Sequence, residues 1–148
     1  MPGRKRGRKA LRFFASGLEF FCRMPNTDFD RLAETLGFAK IESADGSVRV
    51  RAFARDEFLN GVGIAHGGFL FSLADYAAAI AVNTGDVTAV SSNSAINYLR
   101  PCPRGAEVLA SARVPFRNEK TAVCDVSLSS PDGSDVYAIF QSRFIVKK

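Results

Sequence analysis

From Asn60 to Val82 the chain reads NGVGIAHGGFLFSLADYAAAIAV, and most of its chemically useful residues stand in this stretch. It opens with turn formers and holds the only histidine of the chain, His66. Gly67 and Gly68 follow, where an apolar helical run begins. The first N–H groups of a helix lack intrahelical partners and sit at the positive end of its dipole. Glycine lets a ligand come close to them. Such a mouth suits an oxygen that gains negative charge, for example a thioester carbonyl under attack. A glycine pair also serves as a plain tight turn. Further along stands Asp75, flanked by Phe71, Leu73, Ala74, Tyr76 and Ala78, with no basic residue within four positions. Ser72 is three residues before it, on the same helical face. A carboxylate buried there has its pKa raised or draws partners from elsewhere. The other reading puts Asp75 on a solvent-facing edge of the helix.

Spacing constrains the chemistry. Gly68 and Asp75 are separated by roughly 10 Å along a helix axis. Attack on a carbonyl needs contacts of about 3 Å, so one helix cannot supply both groups to one reacting carbon. If both act, the helix mouth of one subunit must meet the Asp75 of another, and a two-fold dimer would create two equal sites.

Two other chemistries fit less well. GVGIAHGG approaches a dinucleotide fingerprint, but His66 stands where the third glycine belongs, and no alternating strand–helix units follow. A Ser–His triad lacks its G-x-S-x-G elbow.

The elements that must position these residues are legible. The run Phe69 to Val82 is 14 residues with two polar members, Ser72 and Asp75, too short and polar for a bilayer span. It reads as a core helix. Before it, Asp28 to Leu36 suits a short helix with Thr27 or Asp28 as N-cap and Gly37 beyond its end. FAKIES and SVRVRAFA flank the turn ADG as a hairpin, with Val48, Val50 and Ala52 facing inward. After Gly85 four strands are expected, at Ala89–Leu99, Glu107–Phe116, Thr121–Leu128 and Asp135–Val146. The outline is a hairpin, one buried helix and four strands in meander-like succession. That is an α+β architecture, one antiparallel sheet covering one helix.

A chain of 148 residues, 47% hydrophobic, suits a single domain with a sizeable core. Its net charge of +5 is concentrated at one end. Residues 1–24 carry seven Lys/Arg against one acid, whereas the rest carry thirteen against fourteen. Charge therefore gives the domain, residues 25–148, no nucleic-acid role. The extension 1–24 places Leu11, Phe14, Leu18 and Phe21 on one helical face. It can be read as a membrane-surface helix, an organelle-targeting leader, or an addition from an upstream start codon. The stretch PNTDFDRLAETLGF after Met24 reads as a natural beginning and favours the last. Cys22, Cys102 and Cys124 are odd in number with no C-x-x-C spacing, which points to a reducing cytoplasm and away from a zinc site.

Residues Leu59 to Val82 resemble the hotdog-fold acyl-CoA thioesterases, particularly the phenylacetate-degradation branch. That family shows Asn-x-x-Gly-x-x-His-Gly-Gly and then Leu-Ala-Asp, matched by Asn60, Gly63, His66, Gly67, Gly68, Leu73, Ala74 and Asp75. The later stretch AVSSNSAINYLRPCPRGAEVLASARV is also similar, with its strand ending in Leu-Arg-Pro. The resemblance runs over about residues 32–146. It implies a hotdog subunit, in which an antiparallel sheet wraps a long helix. It implies subunits paired through a continuous sheet into a homodimer or homotetramer. It further implies hydrolysis of acyl-CoA or aryl-CoA without metal or separate cofactor, CoA being part of the substrate.

Carried onto this chain, Asp75 is the nucleophile or the general base that activates water. The amide at Gly67 or Gly68 polarises the thioester carbonyl. Asn60 and His66 orient the loop, the carbonyl or the water, and Ser91 or Ser92 assists from the partner. The family's Gly-Lys or Gly-Arg pair is replaced here by RNEK. Arg100, Arg104, Arg117 and Lys120 are the residues left to meet the CoA phosphates, or they are solvated loop charges. Two alternatives stay in view. One is a hotdog acyl-CoA-binding regulator whose basic extension contacts DNA or a membrane. The other is a hotdog hydratase or dehydratase.

Overall fold

The computed structural model describes residues 30–147. The extension 1–24 and the expected caps Thr27 and Asp28 lie outside the described residues. The first helix, α1 (Arg31–Leu36), is shorter than expected because Asp30 takes the capping role: its carboxylate accepts from the Ala33 N–H at 2.9 Å. Gly37 ends the helix in the left-handed region, at φ 73°, as its position in the sequence suggests.

Strands β1 (Ala39–Ala44) and β2 (Ser47–Phe53) form the expected hairpin around Asp45 and Gly46. Val48, Val50 and Ala52 are buried, with Arg51 and Phe53 exposed between and beyond them. A 3-10 turn, Asp56–Phe58, and a loop lead into α2 (Gly67–Val82), which is 16 residues, or about 24 Å, long. Four strands follow: β3 (Thr88–Tyr98), β4 (Glu107–Arg117), β5 (Thr121–Ser129) and β6 (Val136–Lys147). Each begins and ends within two residues of expectation.

Their order differs from the expected meander. The sheet runs β1-β2-β4-β5-β6-β3, with every neighbour antiparallel. β4, β5 and β6 do form a meander, but β3 lies on β6 at the far edge and β2 pairs with β4. The connection Arg100–Gly105 explains the detour. It contains Pro101 and Pro103, and it is tied to the loop before α2 by Ala65 N–H donating to the Cys102 carbonyl at 2.9 Å. It therefore passes over the mouth of the helix instead of turning tightly into the next strand.

The core is the space between α2 and the sheet. Helix α2 buries Phe69, Leu70, Leu73, Ala74, Ala77, Ala78, Ile80, Ala81 and Val82, so it is covered on most sides. Opposite stand Val50, Ala110, Ala112, Ala122, Cys124, Leu128, Ala138 and Phe144. Small residues on both surfaces let the sheet curl closely about the helix. Ser142, the buried polar side chain among these, is satisfied by the Ser94 hydroxyl at 2.8 Å and the Asn93 carbonyl at 3.2 Å. Phe58 stacks on Phe69, and Phe38 meets both Phe69 and Tyr76, which anchors the segment after α1 to α2. This six-stranded sheet around one central helix is the hotdog arrangement. Among the described residues no helix is long and apolar enough to cross a membrane.

Candidate active site

The loop into α2 is built around Asn60. Its side-chain oxygen accepts from the N–H groups of Val62 at 3.0 Å and Ile64 at 3.3 Å. Gly63, at φ 81°, supplies the left-handed turn between them. His66 then caps the helix that it precedes: Nδ1 accepts from the Gly68 N–H at 2.9 Å. An accepting Nδ1 carries no proton, so the neutral ring holds its hydrogen on Nε2. The two candidate amides are thereby separated. Gly68 N–H is occupied by His66, whereas Gly67 N–H, the first of the helix, has no partner among the described residues.

Gly67 and Asn60 line a cavity of about 330 Å³, with Leu70, Tyr98, Arg100 and Cys102 also on its walls. Tyr98 is a site residue that the sequence reading passed over. Its hydroxyl donates to the Gly67 carbonyl at 2.9 Å, and a Cβ on residue 67 would stand 2.8 Å from that hydroxyl. A larger residue there would have to push the ring aside. The signal was present in NYLRP, where an aromatic on the helix-facing side of β3 directly precedes the Leu-Arg-Pro turn.

Asp75 does not line that cavity. It lies two turns along α2, half-buried, and no hydrogen bond or ion pair reaches its carboxylate among the described residues. Burial raises its pKa above the ordinary aspartate value, and the neighbouring charge of Asp30 adds to the rise. Ser72 turns away from it, donating to the Gly68 carbonyl at 2.8 Å.

Ser91 and Ser92 are both exposed on β3. Ser92 occupies a bulge, and its hydroxyl donates to the Arg143 carbonyl at 3.1 Å. Ser91 pairs with Phe144 and so shares the helix-facing side of the sheet.

The four candidate phosphate ligands do not converge within one chain. Arg100, near the helix mouth, pairs with Asp135 at 3.1 Å. Arg104 forms a bidentate pair with Asp56. Arg117 lies at the other end of α2, where its Nη2 donates to the Val82 carbonyl. Lys120 is exposed in the adjoining β4–β5 turn. A second hollow, about 680 Å³, lies on the sheet face away from α2, between Asn97, Arg113, Asp125 and Gln141. There Asp125 is already held by Arg113 at 3.2 Å and Gln141 at 2.8 Å.

The fold and the helix-mouth loop together define a hotdog subunit with a donor site at the start of its central helix. The thioesterase superfamily model matches residues 62–137, and the chain belongs to that family. It is 35% identical to the acyl-coenzyme A thioesterase PaaI of Escherichia coli (strain K12), over 77% of this chain and 81% of that protein. The structure of E. coli PaaI, from the phenylacetic acid degradation operon, superposes with a TM-score of 0.77 at 33% identity, covering 80% of this chain and 86% of that one. The TT0310 protein of Thermus thermophilus gives 0.75 at 36% identity, covering 79% and 97%. Smu.793 of Streptococcus mutans UA159, solved bound to acetyl CoA, gives 0.71 at 28% identity, covering 74% and 88%.

Proposed function

We propose that this protein hydrolyses acyl-CoA or aryl-CoA thioesters to free acid and CoA, at sites shared between two protomers. The observation that carries the reading is one helix with an amide at its mouth, Gly67, and a half-buried carboxylate two turns on, Asp75, neither of them partnered among the described residues. That pairing occurs in a chain of the thioesterase superfamily, similar to a named acyl-CoA thioesterase.

The two sheet edges argue for the assembly. Strand β1 exposes Lys40 and Glu42, charges that discourage edge pairing. Strand β3, at the other edge, is 11 residues long and carries no charge. Two β3 strands joined about a two-fold axis continue the sheet and lay the α2 helices side by side in opposite directions. Each helix mouth then faces the Asp75 of the partner. The same arrangement brings the Arg117 end of one helix toward the Arg100 and Arg104 end of the other, where the CoA phosphates would lie. A tetramer would be two such dimers.

In this reading the Gly67 N–H donates to the thioester oxygen as it gains charge. Asn60, through its side-chain NH₂, and His66, through Nε2–H, orient that carbonyl or the water. Asp75 either attacks the carbonyl carbon or takes a proton from water that attacks it. Its raised pKa makes it the stronger base. If Asp75 attacks, the C–S bond breaks to leave a mixed anhydride on its carboxylate, which water then hydrolyses to the free acid; the departing sulfur takes its proton from solvent. If Asp75 acts as base, water adds to the carbonyl carbon, the C–S bond breaks as the adduct collapses, and the proton that Asp75 took from water passes to the sulfur. CoA leaves as the thiol in both versions. Ser91 from the partner helps hold the water. No metal or separate cofactor enters this scheme. Buried free thiols at Cys102 and Cys124 suit a cytoplasmic enzyme.

The test is CoA release, followed with a thiol reagent across a panel of acyl-CoA and aryl-CoA esters. Asp75→Asn is expected to abolish turnover while ester binding persists. Undiminished turnover in that variant refutes the mechanism. Turnover of an enoyl-CoA without CoA release would instead favour hydration chemistry.

A further inference from the structure

The peptide unit joining Gly67 to Gly68 is held at both ends. Its carbonyl accepts from the Tyr98 hydroxyl at 2.9 Å, and its N–H donates to His66 Nδ1 at 2.9 Å. The preceding peptide, which bears the free Gly67 N–H, is fixed through its own carbonyl: His66 C=O accepts from Phe69 N–H at 3.0 Å and Leu70 N–H at 3.2 Å. The hydroxyl and the imidazole therefore share one polarisable link. A donor on an amide carbonyl strengthens the hydrogen bond given by the N–H of the same amide.

We infer that Tyr98 is a positioning residue for the hydrolysis proposed above, acting through the Gly67–Gly68 peptide to dock His66 and to aim the Gly67 amide into the cavity. The inference rests on that functional reading for its catalytic consequence. Its structural half stands on the two hydrogen bonds alone. The close fit supports it, because the ring lies against Gly67 so tightly that a Cβ there would meet the ring carbon bearing the hydroxyl at 3.0 Å as well as the oxygen. The lining of the cavity supports it too, since Tyr98, Gly67 and Asn60 all line it. Tyr98 thus sets the His66 tautomer, with Nδ1 accepting and Nε2–H left for the substrate or water.

The experiment uses Tyr98→Phe, which removes one oxygen and leaves the ring on Gly67. Its kcat is expected to fall on the order of tenfold, the scale of one lost hydrogen bond, with KM held within about twofold. His66 is the only histidine, so in untagged protein its ring-nitrogen NMR signals need no assignment. They are expected to move from the pattern of a single Nε2–H tautomer toward a mixture. Gly67→Ala, which displaces the ring from the other side, is expected to give the same nitrogen pattern. A merely structural role would lower thermal stability and leave the tautomer unchanged, and that outcome overturns the inference. So does unchanged kcat in an active enzyme. If the wild type cleaves no thioester, the functional reading fails by itself, and the nitrogen signals still decide whether Tyr98 governs His66.

Discussion

Arg117 reaches from the end of β4 to the last turn of α2, where its Nη2 donates to the Val82 carbonyl at 2.5 Å. A cation at that place meets the negative end of the helix dipole and satisfies a carbonyl that the helix leaves open. The residue therefore has structural work that its place in the RNEK turn did not reveal. Arg117→Ala is expected to lower stability by about 0.5–1 kcal/mol, measured by denaturant titration. Arg104, exposed and paired with Asp56, is expected to behave oppositely. Arg104→Ala should leave stability within about 0.5 kcal/mol, as for most surface substitutions, and raise KM for CoA esters more than Arg117→Ala does. Equal KM values in the two variants would remove Arg104 from the phosphate site.

Asp75 links activity to stability with a definite sign. Its folded pKa is raised from 3.8, so the folded protein binds the proton more tightly than the unfolded chain. The favourable contribution is complete below 3.8 and disappears as pH rises through the folded value. Above that the ionised group opposes folding. Asp75→Asn is accordingly expected to raise the melting temperature at pH 8, and the gain should shrink toward pH 4. A melting curve that shows the variant less stable at pH 8 than the wild type contradicts the assignment.

The uncharged edge of β3 offers a separate handle. Ala95→Lys combined with Asn97→Lys places like charges along the strand through which two protomers are proposed to join. Sedimentation should show dissociation toward monomer, with far-UV circular dichroism preserved and CoA release lost. An intact dimer with full activity would move the interface elsewhere.

Cys102 and Cys124 are buried, and burial pushes their thiols up to about 11 and about 12. A thiol this far above neutral pH supplies little thiolate. Mass spectrometry after brief treatment with a thiol reagent at pH 8 is expected to find neither residue modified in folded protein, and both modified once it is unfolded.

Local pattern carried much of the architecture. Alternation exposed the inward face of β2, and the long, largely apolar run exposed α2. Sheet order was less legible, because β3 joins β6 through pairs separated by about 40 to 60 residues, such as Tyr98 with Ala138 and Thr88 with Lys147. Nothing in the local sequence distinguishes that neighbour from β4. The α1 cap rests on Asp30, an aspartate two positions beyond the one the sequence pattern favoured. At the candidate site, the motif singled out Asn60, His66, Gly67 and Asp75 but left the two glycine amides equivalent. Only the geometry of the His66 ring separates them. Tyr98 is marked in the sequence only by its place before Leu-Arg-Pro, because its partner, the Gly67 carbonyl, is backbone and names no residue type to look for.

The alanines that face each other across α2 and the sheet have a bearing on selectivity. Ala74, Ala77, Ala78 and Ala81 meet Ala110, Ala112, Ala122 and Ala138 in a seam whose members are almost wholly screened from solvent. A fatty or aromatic tail cannot slide beneath the helix without prising it off the strands. In the proposed dimer such a tail would thread the crevice where the two copies abut, which would make discrimination among tails a trait of the oligomer, tunable by residues at that crevice while the hydrophobic interior stays untouched.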